Sequence, residues 1–263
     1  MINPERTDLE KTIDKAIKWI ACRQDPEGYW AGMLESNVCM EAEWLLAFHI
    51  LGISRDPKIE GLKKGILDEQ RPDGAWEIFY KAPEGDISAT VEAYAALRAW
   101  GMHPEEKPLR RARRWILHHG GVSGVRVFTR FWLALLGEWP WEKTPNVPPE
   151  IIFFPSWFPF CIYNFSAWSR ATIVPLSILS AWRPIRPLPD ERRLDELFPE
   201  GRESVNYKLP ARGTTFSWEG FFKSADWFLQ KYQGLGFTPG RETAIRNGLE
   251  WIIRHQDADG AWG

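Results

Sequence analysis

The pattern Gln-x3-Gly-x-Trp occurs three times in this 263-residue chain, as Gln24–Gly28–Trp30, Gln70–Gly74–Trp76 and Gln256–Gly260–Trp262. Each copy follows a stretch with helical apolar periodicity: Ile13 to Cys22, Leu62 to Leu67 and Ile245 to Ile253. The Asp, Pro and Gly residues inside each copy are turn chemistry. The pattern predicts a Gln at a helix end, its amide bonding orphan carbonyls, and a Trp folded back over it after the turn. A fourth, degenerate copy spans Trp115 to Gly121, where His119, Gly120 and Gly121 replace the usual residues.

After each of the early turns a second apolar segment ends in Gly: Val38 to Gly52, Ala89 to Gly101, and Val127 to Gly137. Setting Gly52 against Gly101 gives an offset of 49 residues and sets Glu43 against Glu92. Helix pairs at such a period bury their faces on one another in sequence order. The expected fold is all-α, an α/α toroid (a double ring of helices) built from helix-pair repeats. Residues 1–35 read as an N-terminal helix with the first repeat, and residues 36–263 as the toroid, closing on a repeat.

From Glu138 to Pro210 the repeat is lost in a Pro-rich, irregular insertion. Within it Ala167 to Trp182 reads as one helix, kinked or started near Pro175, and Arg192 to Arg212 as polar, flexible connection. Ile151 to Ser169 is nineteen residues without a charge, but Pro155 and Pro159 make it an apolar loop rather than a membrane span. Phe216 to Tyr232 reads as an amphipathic helix with Trp218, Phe221, Phe222 and Phe228 on one face and Trp227 on the other. It fits an outer toroid helix, or one dipping aromatic residues into a single membrane leaflet.

Charge is nearly balanced, 33 basic against 35 acidic residues, which argues against a nucleic-acid partner. The 16 Trp, 15 Phe and 6 Tyr are an unusual investment in ring faces, which pack cores and also stabilise cations. Three scattered cysteines, Cys22, Cys39 and Cys161, fit a reducing compartment better than a disulfide framework. Met1 to Glu10 has no apolar signal region, so the protein is expected to start inside the cell. The five His show no zinc-ligand spacing with the cysteines, and His118 and His119 read as a helix C-terminus.

The three repeats resemble the QW motif of squalene–hopene and oxidosqualene cyclases. The strings Ser36-Asn37-Val38-Cys39-Met40-Glu41-Ala42-Glu43, Arg126-Val127-Phe128-Thr129-Arg130-Phe131-Trp132 and Trp168-Ser169-Arg170-Ala171-Thr172 are similar to bacterial squalene–hopene cyclase. So are Trp141-Glu142-Lys143 and Val147-Pro148-Pro149-Glu150-Ile151, and the likeness runs from about Leu9 to Gly263. The resemblance implies the first part of a two-barrel enzyme that cyclises squalene to hopene or hopanol, without metal or organic cofactor. It also implies a monotopic protein on the cytoplasmic side of a bacterial inner membrane, a second barrel against which the N-terminal helix packs, and room for a homodimer. In the family an Asp-x-Asp-Asp motif supplies the initiating acid. This sequence has none: Asp257-Ala258-Asp259 is followed by Gly260, within the third repeat. The chain alone is therefore expected to cyclise nothing.

Carried over, Trp168 and Phe128 match cavity aromatics facing substrate and its cations, and Phe165 and Ile173 match an entrance channel. The spacing of eight is expected to bring that pair near one helix face. Glu43, Glu92, Arg126 and Trp132 match a polar, water-organising cluster where the last cation loses a proton or takes up water. A buried ion pair is the structural alternative, with Glu41 and Arg130 as competing partners. Among whole-protein alternatives, the repeats also fit a standalone toroid acting as a binding or scaffold module. Bacterial diterpene or sesterterpene cyclases share the expected architecture.

Overall fold

The computed structural model describes residues 7–30, 36–207, 220, 224, 229, 231, 238–258, 260 and 262. The membrane-facing candidates Trp218, Phe221, Phe222, Trp227 and Phe228 lie outside the described residues. Among the described residues every regular element is a helix. The chain divides into two compact units, Met1–Ser36 and Asn37–Gly263.

The first unit contains helix α1 (Asp8–Ala21), started by a capping box in which Thr7 and Glu10 bond each other's backbone N–H. Its apolar residues Leu9, Ile13, Ile17 and Ile20 are exposed.

In the second unit, α2 (Val38–Leu51), α4 (Ile87–Ala99) and α6 (Val127–Leu135) pack side by side, with α4 between the other two. Helix α3 (Lys58–Asp68) lies on α2, and α5 (Lys107–His118) on α4. The sequence explains the layering. Helix α4 is Ala-rich and buried from Ser88 to Ala99, as an inner helix contacted on all sides must be. Helix α5 buries only Leu109, Ala112 and Ile116, an outer helix with one apolar stripe. This is the helix-pair packing of an α/α toroid. Asn37 and Asp86 cap α2 and α4 with side-chain oxygens.

The three repeats share one hydrogen-bond scheme, and it differs from the expected one. The Trp indole, not the Gln amide, reaches the orphan helix carbonyl: Trp30 Nε1 to Ile20 O at 2.8 Å, Trp76 to Ile66 O at 2.6 Å, and Trp262 to Ile252 O at 2.8 Å. The Gln amide instead donates across its own turn, to Gly28 O at 2.8 Å, Gly74 O at 2.9 Å and Gly260 O at 2.9 Å. The reason is reach. The Gly takes φ of +95°, +99° and +90° in the three copies, which turns its carbonyl toward Gln and carries the Trp back along the helix. Three helix ends add a second device. Arg23 stacks on Trp19, His119 on Trp115 and His255 on Trp251, each with a side-chain nitrogen at the carbonyl of that Trp.

The insertion behaves unlike the expected flexible linker. Helix α7 (Ala167–Trp182) runs through Pro175, and α8 (Arg241–Arg254) packs on it and on the short turn Pro149–Phe153. Residues 183–207 form an ordered strap tied to helix ends. Arg186 N and Leu188 N donate to Leu135 O and Leu136 O at the end of α6, and Arg192 Nη1 reaches Ala99 O at 2.8 Å at the end of α4. Buried Arg98 binds Glu196 Oε1 at 2.9 Å and the carbonyls of Met102, Glu191 and Arg193. Part of the polar composition between 192 and 207 thus serves tertiary contacts: Arg192 caps α4, Glu196 pairs with Arg98, and Arg202 pairs with Glu138. Residues 208–212 lie outside the described set.

Candidate functional site

Glu43 and Glu92 are each the sixth residue of their helix, α2 and α4, so the sequence offset becomes a shared level in two neighbouring inner helices. Arg126 caps α6 from the same end, which brings its guanidinium toward both helices. Arg126 Nη2 lies 3.5 Å from Glu92 Oε2 and donates to Cys39 Sγ at 3.1 Å. Thr129 Oγ1 donates to the other carboxylate oxygen of Glu92. Glu92 is buried, 1% exposed, whereas the Arg126 side chain is 38% exposed. The pair therefore has one wall in the core and one open side.

Glu43 is the titrating member. Burial, then the neighbouring Glu92 charge, pushes its carboxyl up to about 7, against the opposing pull of Trp132 and Arg126. Burial, with Glu92 nearby, also raises Cys39, keeping it a neutral thiol beside the ion pair. The structure thus brings Glu43, Glu92, Arg126 and Trp132 together, and adds Cys39 and Thr129, which the sequence reading passed over. A signal for both existed. Cys39 sits one turn before Glu43, and Thr129 one turn after Arg126, on helices already in phase.

The competing pair is not formed. Arg130 is fully buried but donates to the carbonyls of Ser123, Val125 and Tyr207, not to Glu41. Glu41 Oε2 is buried without a hydrogen-bond partner among the described residues.

Trp168 stands 84% exposed in the first turn of α7, and Phe128 is exposed in the first turn of α6. Phe165 and Ile173 are both half-buried, but they do not share a helix face. Phe165 precedes the N-cap Ser166 in extended backbone, so helical spacing cannot apply to it. An apolar cavity of about 350 Å³ between α7 and α8 is lined by Arg170, Pro175, Trp251, His255 and Trp262, and holds none of the site residues. Among the described residues no cluster of His, Cys, Asp and Glu is arranged to hold a metal ion, and no helix is long and apolar enough to cross a membrane. All three cysteines are free.

Chemically, the cluster combines a carboxylate fixed by a guanidinium and a hydroxyl with a second carboxyl that exchanges its proton near neutrality. Such a set can hold a water molecule and accept a proton through it.

Comparison with known proteins places the chain. The family model described as "Squalene-hopene cyclase N-terminal domain" matches residues 13–263. The squalene–hopene cyclase of Alicyclobacillus acidocaldarius is 42% identical over 254 residues, 96% of this chain and 39% of that protein. Dammaradiene synthase of Dryopteris crassirhizoma is 34% identical, over 95% of this chain and 36% of its own length. The squalene–hopene cyclase of Zymomonas mobilis is 33% identical, over 99% of this chain and 39% of its own length. The chain therefore spans under two-fifths of the relatives it matches.

Proposed function

We propose, given that this chain belongs to the squalene–hopene cyclase N-terminal domain family and is related to terpene cyclases, that it is the N-terminal part of an enzyme converting squalene to hopene and hopanol. The initiating acid belongs to a second domain, and this chain by itself is inactive. Its share is cavity wall at Trp168 and Phe128, entrance channel at Phe165 and Ile173, and the terminal cluster. The exposed ring faces suit this role, since migrating cations are best sheltered by aromatic faces in a dry space. The 42% identity to the squalene–hopene cyclase of Alicyclobacillus acidocaldarius is what supports squalene as substrate and hopene-type products.

The observation that carries the reading is the convergence of Glu43, Glu92, Arg126 and Trp132 from three neighbouring inner helices. A water held there removes a proton from the last cation to give the alkene, or adds to it to give the alcohol. Glu92→Gln in the two-domain enzyme tests this: the alkene-to-alcohol ratio from squalene should change, and an unchanged ratio rejects the assignment. Membrane association on the cytoplasmic face, through Trp218, Phe221, Phe222, Trp227 and Phe228, belongs to the same proposal. Vesicle flotation of the enzyme with those residues changed to Ser should show lost binding, and retained binding rejects that face.

A further inference from the structure

Arg130 is an anomaly the proposed chemistry does not use. It is a fully buried cation whose hydrogen bonds among the described residues all go to backbone carbonyls: Nε to Val125 O, Nη1 to Tyr207 O and Nη2 to Ser123 O, each at 3.2 Å. Its other neighbour is the Trp139 ring, 4.8 Å from the guanidinium carbon. A cation buried among neutral groups is costly, and an aromatic face offsets only part of that cost. An apolar side chain would fill the volume with less penalty, but only a planar fork can tie three carbonyls, two from the Ser123–Val125 turn and one from Tyr207, at once.

One of those carbonyls belongs to the peptide joining Val125 to Arg126. The N–H of the same peptide donates to the buried Ser88 hydroxyl at 3.0 Å. The peptide that launches Arg126 is therefore gripped at both ends, its oxygen by Arg130 and its N–H by Ser88. Ser88 lies one turn before Glu92 on α4, so one helix face holds the backbone of Arg126 and, at 3.5 Å, its guanidinium.

We propose that Arg130 and Ser88 are positioning residues that clamp the Val125–Arg126 peptide, aim Arg126 at Glu92, and so set the balance between proton loss and water capture. This rests on the function proposed above. Loosening either grip lets the guanidinium swing toward its exposed side, away from Glu92, and the water held at the cluster loses its fixed geometry.

The test uses the two-domain enzyme with squalene, comparing Ser88→Ala, Ser88→Thr, Arg130→Lys and the reference Glu92→Gln. Ser88→Ala and Arg130→Lys should move the alcohol-to-alkene ratio in the direction of Glu92→Gln, by about fivefold for loss of one hydrogen bond. Ser88→Thr keeps the hydroxyl and should restore the parental ratio. If Arg130→Lys fails to fold, Ser88→Ala carries the test alone. Should Glu92→Gln shift the ratio while Ser88→Ala only lowers Tm or turnover, the clamp is rejected and the function stands. Should Glu92→Gln itself leave the ratio unmoved, the function falls and the clamp falls with it.

Discussion

The indole N–H of Trp76 donates to the carbonyl of Ile66, ten residues back, at 2.6 Å, and both residues are fully buried. The same bond joins Trp30 to Ile20 and Trp262 to Ile252, but there the Trp is about half exposed. One local device thus works in three settings, and only in the middle copy is water kept from replacing it.

Trp76→Phe keeps the ring and strands the Ile66 carbonyl in the core. It should cost about 1–3 kcal/mol, the penalty for a buried, unpaired polar group. Trp262→Phe, whose carbonyl partner can turn to water, should cost well under half as much. Urea unfolding of the two variants checks this, and equal losses would remove the distinction.

The turn glycines divide in the same way. At Gly74 an added Cβ would meet the Arg111 backbone at 2.8 Å, whereas at Gly28 it would meet nothing within 4 Å. Both have positive φ, so both Ala variants are strained, by about 1–2 kcal/mol. Only Gly74→Ala should add a steric loss that also loosens α5 against the turn. Thermal denaturation should place Gly74→Ala clearly below Gly28→Ala, and the reverse order would refute the contact argument.

The Glu43 carboxyl is pushed up to about 7 by burial first and by Glu92 second. Between its ordinary value of 4.5 and about 7 the folded chain holds a proton that the unfolded chain releases. This site's contribution to stability therefore falls as pH rises through that window and is flat above it. Glu92→Gln removes the like charge, so Glu43 should titrate lower but stay above its ordinary value, because burial remains. Carboxyl carbon NMR, assigned with Glu43→Gln, reads the midpoint. An ordinary midpoint in the parent would contradict the packing around Glu43.

Arg98 is 4% exposed and holds Glu196 together with two strap carbonyls, Glu191 O and Arg193 O, and with Met102 O. Arg98→Met leaves that carboxylate to the Tyr94 hydroxyl and loosens the strap, at about 3 kcal/mol for a broken, largely buried pair. Trypsin should then cut at Arg192 and Arg193 much faster than in the parent. Unchanged cleavage would mean that the strap holds without this side chain.

Much of the fold was legible because its signals are local. Helical periodicity marked the paired helices, and Ala167–Trp182 was placed end to end even with Pro175 inside it. The phase of Gly52 with Gly101 sets Glu43 level with Glu92 from the sequence alone. What escaped were assignments that depend on distant partners. The strap reads as solvated linker because its partners, Arg98 for Glu196 and the Glu191 carbonyl, and the Ala99 carbonyl for Arg192, lie 93 to 98 residues earlier in the chain. Arg130 looked like a partner for Glu41, since nothing in sequence reveals three carbonyls converging on one guanidinium.

By itself the sequence determined the helix-pair repeat, the turn chemistry of the three Gln–Gly–Trp copies and the candidate residues of the cluster, because periodicity, backbone preference and residue type act over one or two helical turns. Only the tertiary structure decided which donor met which carbonyl, which carboxylate was buried against Arg126, and which charges were structural. Those outcomes turn on distance and on exclusion of water, and neither exists until separate helices have packed.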